Sequence, residues 1–309
     1  MAEKCKCNTL KLDTFKKAEL EDLSTFKNII DKGNNIISAY DFVNLYLWQG
    51  EHQAKWKLYD DRIIIYYGDE DALLFPASKD NSISIEEAAE ISDMMIDNGS
   101  RGDFIYVDYD NFVKDKEEEW EKYFDIEIDR DNSDYIYSVD KMCELGGKKL
   151  KKKRNLISQF IKNNPHYETG KISKDCFEGC YTLAEKWAAY KSSENNSNFS
   201  SDIKQLKTAL DNFDKLELDG MCLRLYDEVV GFSLFNPKNS ETIMYHFEKY
   251  APNIKGSGQT ITRETSKHFK ELGYKYINRE QDLGISGLRK AKESYDPLYK
   301  KLVCKLHRK

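Results

Sequence analysis

A mixed α/β fold, built twice over, is what this sequence predicts, and three observations predict it. Apolar runs of strand length alternate with longer stretches of helical spacing throughout the chain. Hydrophobic residues make up 40% of the 309 positions, enough for more than one core. Lys57-Leu58-Tyr59-Asp60-Asp61 is echoed 167 residues later by Arg224-Leu225-Tyr226-Asp227-Glu228, with helices, a hairpin, a strand and a helix in the same order around each.

In order, residues 11–31 space Leu20, Leu23, Phe26, Ile29 and Ile30 as a helix. Tyr40 to Trp48 is aromatic-rich and fits a short helix or turn over the core. Residues 55–59 and 62–67 form a hairpin across Asp60-Asp61, and 72–76 is a third strand. Ser84-Ile85-Glu86-Glu87 is a capping box opening a helix to Asp97, with Gly99 as its stop. Residues 104–107 are a strand, 116–124 a helix, and 124–128 and 135–139 two further strands. Asp140 is expected to cap one long helix from Lys141 to about Lys162. Asn163-Asn164-Pro165 breaks it and sets the expected domain boundary, 1–164 and 165–309.

In the second half, Ser173 opens a helix through Phe177, Tyr181, Ala184 and Trp187. A polar loop over 195–201 precedes a helix at 202–213. Strands at 222–226 and 229–235 pair across Asp227-Glu228, and 242–247 follows. Gly256-Ser257-Gly258-Gln259 enters a helix carrying Ile261, Thr265, Phe269 and Leu272, stopped by Gly273. Tyr274 to Ile277 is a strand, and a last helix with Leu288, Ala291 and Tyr295 ends at Pro297.

Charge is distributed unevenly. Net charge is −6, yet residues 108–140 hold 13 acidic against 4 basic residues, and 141–174 hold 10 basic against 2 acidic. Lys148, Lys149, Lys151, Lys152, Lys153 and Arg154 crowd six cations into seven positions, which weakens a helix by mutual repulsion. One reading is a solvated face offset by the preceding acidic block. The other, anchored by Leu150, Leu156 and Ile157, is a fixed array for an anionic partner such as RNA phosphate.

The seven cysteines are odd in number and scattered, which argues against a disulfide framework. Cys5-Lys6-Cys7 and Cys176-x3-Cys180 lack the second pair or histidine of a zinc site, so no metal is expected. No run reaches the ~18–20 apolar residues of a membrane span, and the opening residues have no signal core, so a cytoplasmic protein is expected.

Two stretches carry the chemistry. After the strand at 274–277, Asn278, Arg279, Glu280, Gln281 and Asp282 form a dense loop of both signs. That is either a solvated turn or the place where α/β proteins put a site. Arg289, Lys290 and Ser294 follow on the next helix. Gly256, Ser257, Gly258 and Gln259 lie just before a helix, where backbone N–H groups can meet a phosphate; a flexible helix entry uses the same residues. His246 and His268 are isolated and read as structural.

Strand, glycine turn, helix and strand in this order resemble the GNAT acyltransferase core, whose phosphate loop usually reads Gln/Arg-x-x-Gly-x-Gly/Ala; here it is Asn253-x-x-Gly256-x-Gly258. KKLKKKRN at 148–155, YHFEKY at 245–250 and NREQDLGISGLRKAKESYDP at 278–297 resemble, more particularly, an uncharacterised bacterial family similar to the C-terminal domain of phosphatidylglycerol lysyltransferases. The resemblance implies tandem GNAT-like domains, each a mixed sheet flanked by helices, as in Fem-type transferases. It implies aminoacyl transfer from a charged tRNA to a lipid, peptide or small-molecule acceptor, with no tightly bound cofactor. The membrane-spanning region of the lysyltransferases is lacking in this sequence.

For such a transfer the protein holds donor and acceptor together, takes a proton from the attacking group and steadies an oxyanion. Glu248, Glu280 and Asp282 are the candidates to orient a nucleophile or act as base, Asn278 and Ser294 to donate hydrogen bonds, and Arg279, Arg289 and Lys290 to meet a carboxylate or phosphate. The Lys148 to Arg154 run would hold a tRNA backbone. Two alternatives stand beside this: an acyl-coenzyme A N-acyltransferase using Gly256 to Gln259, and a non-catalytic RNA- or polyanion-binding protein. Arg279→Ala and Glu280→Ala are expected to remove activity with little change in melting temperature.

Overall fold

The computed structural model describes residues 10–32, 34–195 and 199–309. They divide into two compact units, Met1–Asp134 with Lys301–Lys309, and Tyr135–Lys300. The helix break at Asn163-Pro165 lies within the second unit. Cys5-Lys6-Cys7, Gly33 and the middle of the 195–201 loop fall outside the described residues.

The strands in chain order are β1 (Lys55–Tyr59), β2 (Arg62–Tyr67), β3 (Ala72–Ala77), β4 (Asp103–Asp108), β5 (Phe124–Ser138), β6 (Tyr167–Lys171), β7 (Asp219–Leu225), β8 (Glu228–Pro237), β9 (Thr242–Tyr250), β10 (Tyr276–Asn278) and β11 (Tyr299–Arg308). The helices are α1 (Leu23–Phe26), α2 (Phe42–Trp48), α3 (Ile85–Ile96), α4 (Glu117–Trp120), α5 (Val139–Glu144), α6 (Lys151–Asn163), α7 (Phe177–Asn195), α8 (Ser200–Asp211), α9 (Ser257–Glu271) and α10 (Ser286–Glu293). No helix among the described residues is long and apolar enough to cross a membrane.

In the first unit β1, β2 and β3 form an antiparallel meander. The chain crosses over through α3 and returns as β4, parallel to β3 and antiparallel to β11. Helix α3 starts where the capping box places it: Ser84 Oγ accepts from the Glu87 N–H at 3.1 Å, and Glu86 and Glu87 face the positive helix end. Ile85, Ala88, Ala89, Ile91 and Met95 bury one face of it against Phe75, Phe104, Trp120 and Phe124.

The second unit repeats that order. β7, β8 and β9 form an antiparallel meander, α9 crosses over, and β10 returns parallel to β9 and antiparallel to β5. β6 pairs with β7 at the far edge. The echoed pentapeptides lie on the first hairpin of each meander, displaced by one residue: the two-residue loops are Asp60-Asp61 and Tyr226-Asp227.

Several expected elements differ. The long helix at 141–162 is two helices, α5 and α6. Leu145 adopts a left-handed conformation, φ 51°, and Gly146-Gly147 follow it, so the α5 hydrogen-bond ladder cannot continue. Ser138, not Asp140, caps α5, accepting from the Lys141 N–H. The two strands expected around 124–139 are one, β5. The helix at 11–31 resolves into short 3-10, α and π turns. β6 and β11 carry no expectation from the sequence.

Candidate active site

The parallel ladder between β9 and β10 stops at Met244 and Asn278, while β9 runs on to Tyr250. Beyond Asn278 the chain turns to β5: the Arg279 N–H donates to the Tyr135 carbonyl, and the Tyr135 N–H donates to the Glu280 carbonyl. The carboxyl end of a parallel pair, where the two chains part, is where α/β proteins collect functional side chains.

The register of β9 aims those side chains. Against β8, Phe247 faces Leu234 and Tyr245 faces Phe235, so His246 is an extra residue bulged out of the ladder. Strict alternation would put Tyr245 and Glu248 on opposite faces. The bulge brings them together, and the Tyr245 hydroxyl donates to Glu248 Oε2 at 2.7 Å.

Around Glu248 lies a charged cluster walled by tyrosines. Arg279 NH2 donates to Glu248 Oε1 at 3.0 Å, and the Thr262 hydroxyl from α9 donates to Oε2 at 2.7 Å. The Arg279 guanidinium lies 5.1 Å from the Tyr245 ring centre, 5.4 Å from Tyr295 and 5.8 Å from Tyr137. Burial opposes the charge on Arg279, and the Glu248 carboxylate together with the Tyr245, Tyr137 and Tyr295 hydroxyls outweighs it, so its pKa is raised. From α6, Lys153 Nζ sits 4.0 Å from the Tyr295 ring centre. Its pKa falls through burial first and the Arg279 charge second, with Glu248 opposing. Burial, then the neighbouring Glu248 charge, pushes the Tyr295 phenol up to about 12.

Asp282 organises the loop itself. Its carboxylate is fully buried and accepts from the Tyr135 hydroxyl at 2.6 Å, from Arg289 Nε and NH2 at 3.1 Å each, and from the Gly284 N–H at 3.0 Å. Asn278 Oδ1 accepts from the Glu280 N–H at 2.7 Å, closing a turn in which Glu280 takes φ 60°. A non-glycine residue held there is strained, a feature that gathers at functional sites. Lys292 Nζ donates to the Arg279 carbonyl.

Glu280 completes the site. His246 Nδ1 lies 3.0 Å from Glu280 Oε1, and His246 Nε2 meets Asn236 Oδ1. The imidazole, 1% exposed, is gripped from both sides, while Glu280 is 22% exposed against 14% for Glu248 and none for Asp282. Of the three candidate carboxylates, Glu280 is the one most open to solvent.

The sequence-predicted residues separate into three groups. Glu248, Asn278, Arg279, Glu280, Asp282 and Arg289 come together as described. Lys290 and Ser294 are exposed on and just after α10, with the Ser294 hydroxyl donating to the Ala291 carbonyl. Gly256, Ser257 and Gly258 are buried. A Cβ on Gly256 would lie 2.4 Å from the Leu156 carbonyl oxygen of α6, and one on Gly258 would lie 2.8 Å from the Tyr250 ring. The Ser257 hydroxyl donates to the Ala251 and Ile254 carbonyls. Close packing therefore accounts for both glycines, and Gln259 is half-buried beside them.

The basic run is also divided. Arg154 donates to the Leu145 and Gly147 carbonyls, closing the C-terminal end of α5. Lys149 pairs with Asp296 at 2.8 Å, and Lys153 stacks on Tyr295. Lys148, Lys151 and Lys152 are exposed and make no ion pair among the described residues. No group of three or more potential ligand side chains among the described residues is arranged to hold a metal ion.

Tyr135, Tyr137, Tyr245, Tyr295, Thr262, Lys292 and Asn236 were not singled out by sequence reasoning, and His246 is not isolated. A signal existed for two of them: the YHFEKY stretch already carries Tyr245 and His246 beside the candidate Glu248. The others come from β5, β8, α9 and the end of α10, and only the fold assembles them.

Residues 34–304 match the family described as phosphatidylglycerol lysyltransferase, C-terminal, and the chain belongs to that family. No curated protein matches it. A solved protein of unknown function from Bacteroides thetaiotaomicron is 29% identical, with a TM-score of 0.86 over 96% of this chain and 99% of that one. L-PGS from Bacillus licheniformis is 15% identical, with a TM-score of 0.66 over 95% of this chain and 93% of its own. FemX is 8% identical, with a TM-score of 0.54 over 94% of both. The latter two share the fold. Family and fold point to an acyltransferase of the aminoacyl-transferring type.

Proposed function

We propose that the protein transfers an aminoacyl group from aminoacyl-tRNA to a hydroxyl or amine acceptor on a lipid, peptide or small molecule, with Glu280 as the group that takes the acceptor's proton. The observation that carries this reading is the placement of Glu280, the most exposed of the three carboxylates, where β9 and β10 part, against a histidine aimed by a bulge.

In the proposed step the acceptor oxygen or nitrogen attacks the ester carbonyl and loses its proton to Glu280. The ester C–O bond breaks, and the tRNA ribose oxygen leaves with a proton returned to it. His246, gripped by Asn236, holds Glu280 in the orientation the attack needs. Arg279 and Lys292 supply positive charge close to the developing oxyanion. Lys148, Lys151 and Lys152 suit the tRNA backbone, whose binding would weaken steeply with salt. The enclosure of Gly256 to Gly258 offers no comparable support for coenzyme A.

The experiment is incubation with labelled aminoacyl-tRNA of each specificity and a cell extract, followed by a search for a labelled acceptor. Transfer is expected, and Glu280→Gln is expected to lower it by about 10²–10⁴-fold with an unchanged melting temperature. Tight coenzyme A binding with no transfer of any amino acid would overturn the proposal.

A further inference from the structure

The second unit holds a cysteine pair that the candidate site does not use. Cys176 lies in the 3-10 turn Lys174–Cys176 just before α7, and Cys222 lies on β7. Their sulfurs are 3.8 Å apart. The sequence pairs Cys176 with Cys180, one helical turn on; the fold brings it instead against a cysteine 46 residues away.

The surroundings of the two sulfurs differ. Arg224 NH2 is 2.6 Å from Cys176 Sγ, and the Ser173 hydroxyl is 3.7 Å away. Arg224 Nε is buried with no hydrogen-bond partner, a deficit that an anionic sulfur or a sulfenate oxygen at Cys176 would meet. Burial raises the Cys176 pKa, but hydrogen bonds from the Ser173 backbone and hydroxyl, Arg224 and Cys222 outweigh it, and the net shift is downward. Burial and then the Cys176 charge push Cys222 up to about 11, and burial pushes Cys143 up to about 11 and Cys304 to about 12. Cys176 itself is 1% exposed, but the residues beside it reach solvent: Ser173 and Asp175 are exposed, and the Arg224 side chain is 31% exposed.

We propose that Cys176 is an oxidant-reactive thiolate, that its substrate class is a small hydroperoxide, and that Cys222 resolves the product into a reversible disulfide. The Cys176 sulfur attacks one peroxide oxygen and the O–O bond breaks. Cys176 becomes a sulfenic acid, and the other oxygen takes a proton and leaves as water from hydrogen peroxide, or as an alcohol from an organic hydroperoxide. The Cys222 thiol then attacks the sulfenic sulfur, an S–S bond forms, and the sulfenic oxygen leaves as water. The two thiols give up two electrons and the peroxide takes both. Two equivalents of a thiol such as glutathione reduce the disulfide by successive exchange, the first forming a mixed disulfide and the second leaving with it as the thiol's own disulfide. Closure ties the start of α7 to β7, in a strand pair distinct from the one that carries Glu280.

The test uses the whole protein, reduced, then treated with a modest excess of hydrogen peroxide and quenched by alkylation. Peptide mapping without reductant should find the Cys176–Cys222 disulfide forming at least about tenfold faster than oxidation of Cys143 or Cys304. In Cys222→Ser the sulfenic acid should persist on Cys176 and be trapped by dimedone, and Arg224→Gln should slow the first step by about tenfold. Oxidation of Cys176 at the rate of Cys143 or Cys304 would overturn the proposal. So would a Cys176–Cys180 bond in place of the predicted one. Should Arg224→Gln fail to fold, the wild-type rate comparison decides alone.

Discussion

The third strand of each meander is irregular in its pairing with the second, and the two units fill that irregularity with opposite materials. In the first unit the break lies between the Ile63–Ala77 and Ile65–Leu74 pairs, around Phe75 and Pro76. Both are buried, and the Phe75 ring packs 4.9–5.8 Å from Phe104, Phe112 and Trp120. In the second unit the bulged residue is His246, bonded to Glu280 and Asn236, with Glu248 and Arg279 beside it. One backbone plan thus yields an aromatic plug in one place and a charged cluster in the other. The plug adds apolar burial, while the cluster carries charges that packing alone would not keep. The chemistry is therefore expected at the second unit's bulge.

The sharpest way to break the comparison is to remove a buried cation from each unit. Arg279→Ala removes the cation paired with Glu248 and leaves that carboxylate only the neutral Tyr245 and Thr262 hydroxyls. It should cost about 3–5 kcal/mol, so the sequence expectation of little change in melting temperature does not extend to this residue. Lys301→Ala in the first unit leaves Asp108, its partner at 2.8 Å, with hydrogen bonds from Asn111. That change should cost about 1–3 kcal/mol. Urea unfolding of the two variants side by side decides, and a larger loss for Lys301→Ala would refute the contrast.

The two crossover helices give the next largest difference. Gly256 opens α9 at φ 89° with the Leu156 carbonyl against it, and no side chain caps that end. Gly256→Ala should cost about 2 kcal/mol or more. Ser84→Ala loses one capping bond on α3, about 1 kcal/mol. Thermal melts of the pair would show whether packing or capping governs these helix starts.

The smallest effect is in pH. At His307, burial opposes protonation while Asp103 and Glu127 favour it more strongly, so its folded pKa lies above 6.5. Its contribution is complete below 6.5 and lost as pH rises through the folded value. Hydrogen bonds from Lys141 and Lys149 hold Asp296 below 3.8, so its contribution is complete above 3.8 and lost as pH falls through the lower value. Hydrogen exchange on each unit's own strands should therefore weaken toward alkali in the first and toward acid in the second. His307→Gln and Asp296→Asn should flatten the respective edges.

Much of the scaffold was legible because it rests on local chemistry. The capping box at Ser84, the two hairpins and the strand–loop–helix at 276–293 follow from patterns within a few residues. What escaped depends on distance or on backbone handedness. Leu145 gives no sign in its side chain that it will turn left-handed and split a helix. Gly256 and Gly258 look like a phosphate cradle until Leu156 and Tyr250 close over them. Asp282 reads as a candidate to orient a nucleophile or act as base, yet Tyr135, 147 residues earlier, takes one of its oxygens. The charged loop itself was readable; which of its carboxylates stays accessible was not.

Lys301–Lys309 belongs to the first unit, where Val303, Cys304 and Leu306 pair with β4. The second unit is thus an insert between Asp134 and Lys301, tethered at both ends. Clipping the chain after Lys300 would therefore damage the half that lies earliest in the sequence, stripping β4 of a neighbour while leaving Glu280 and its surroundings whole.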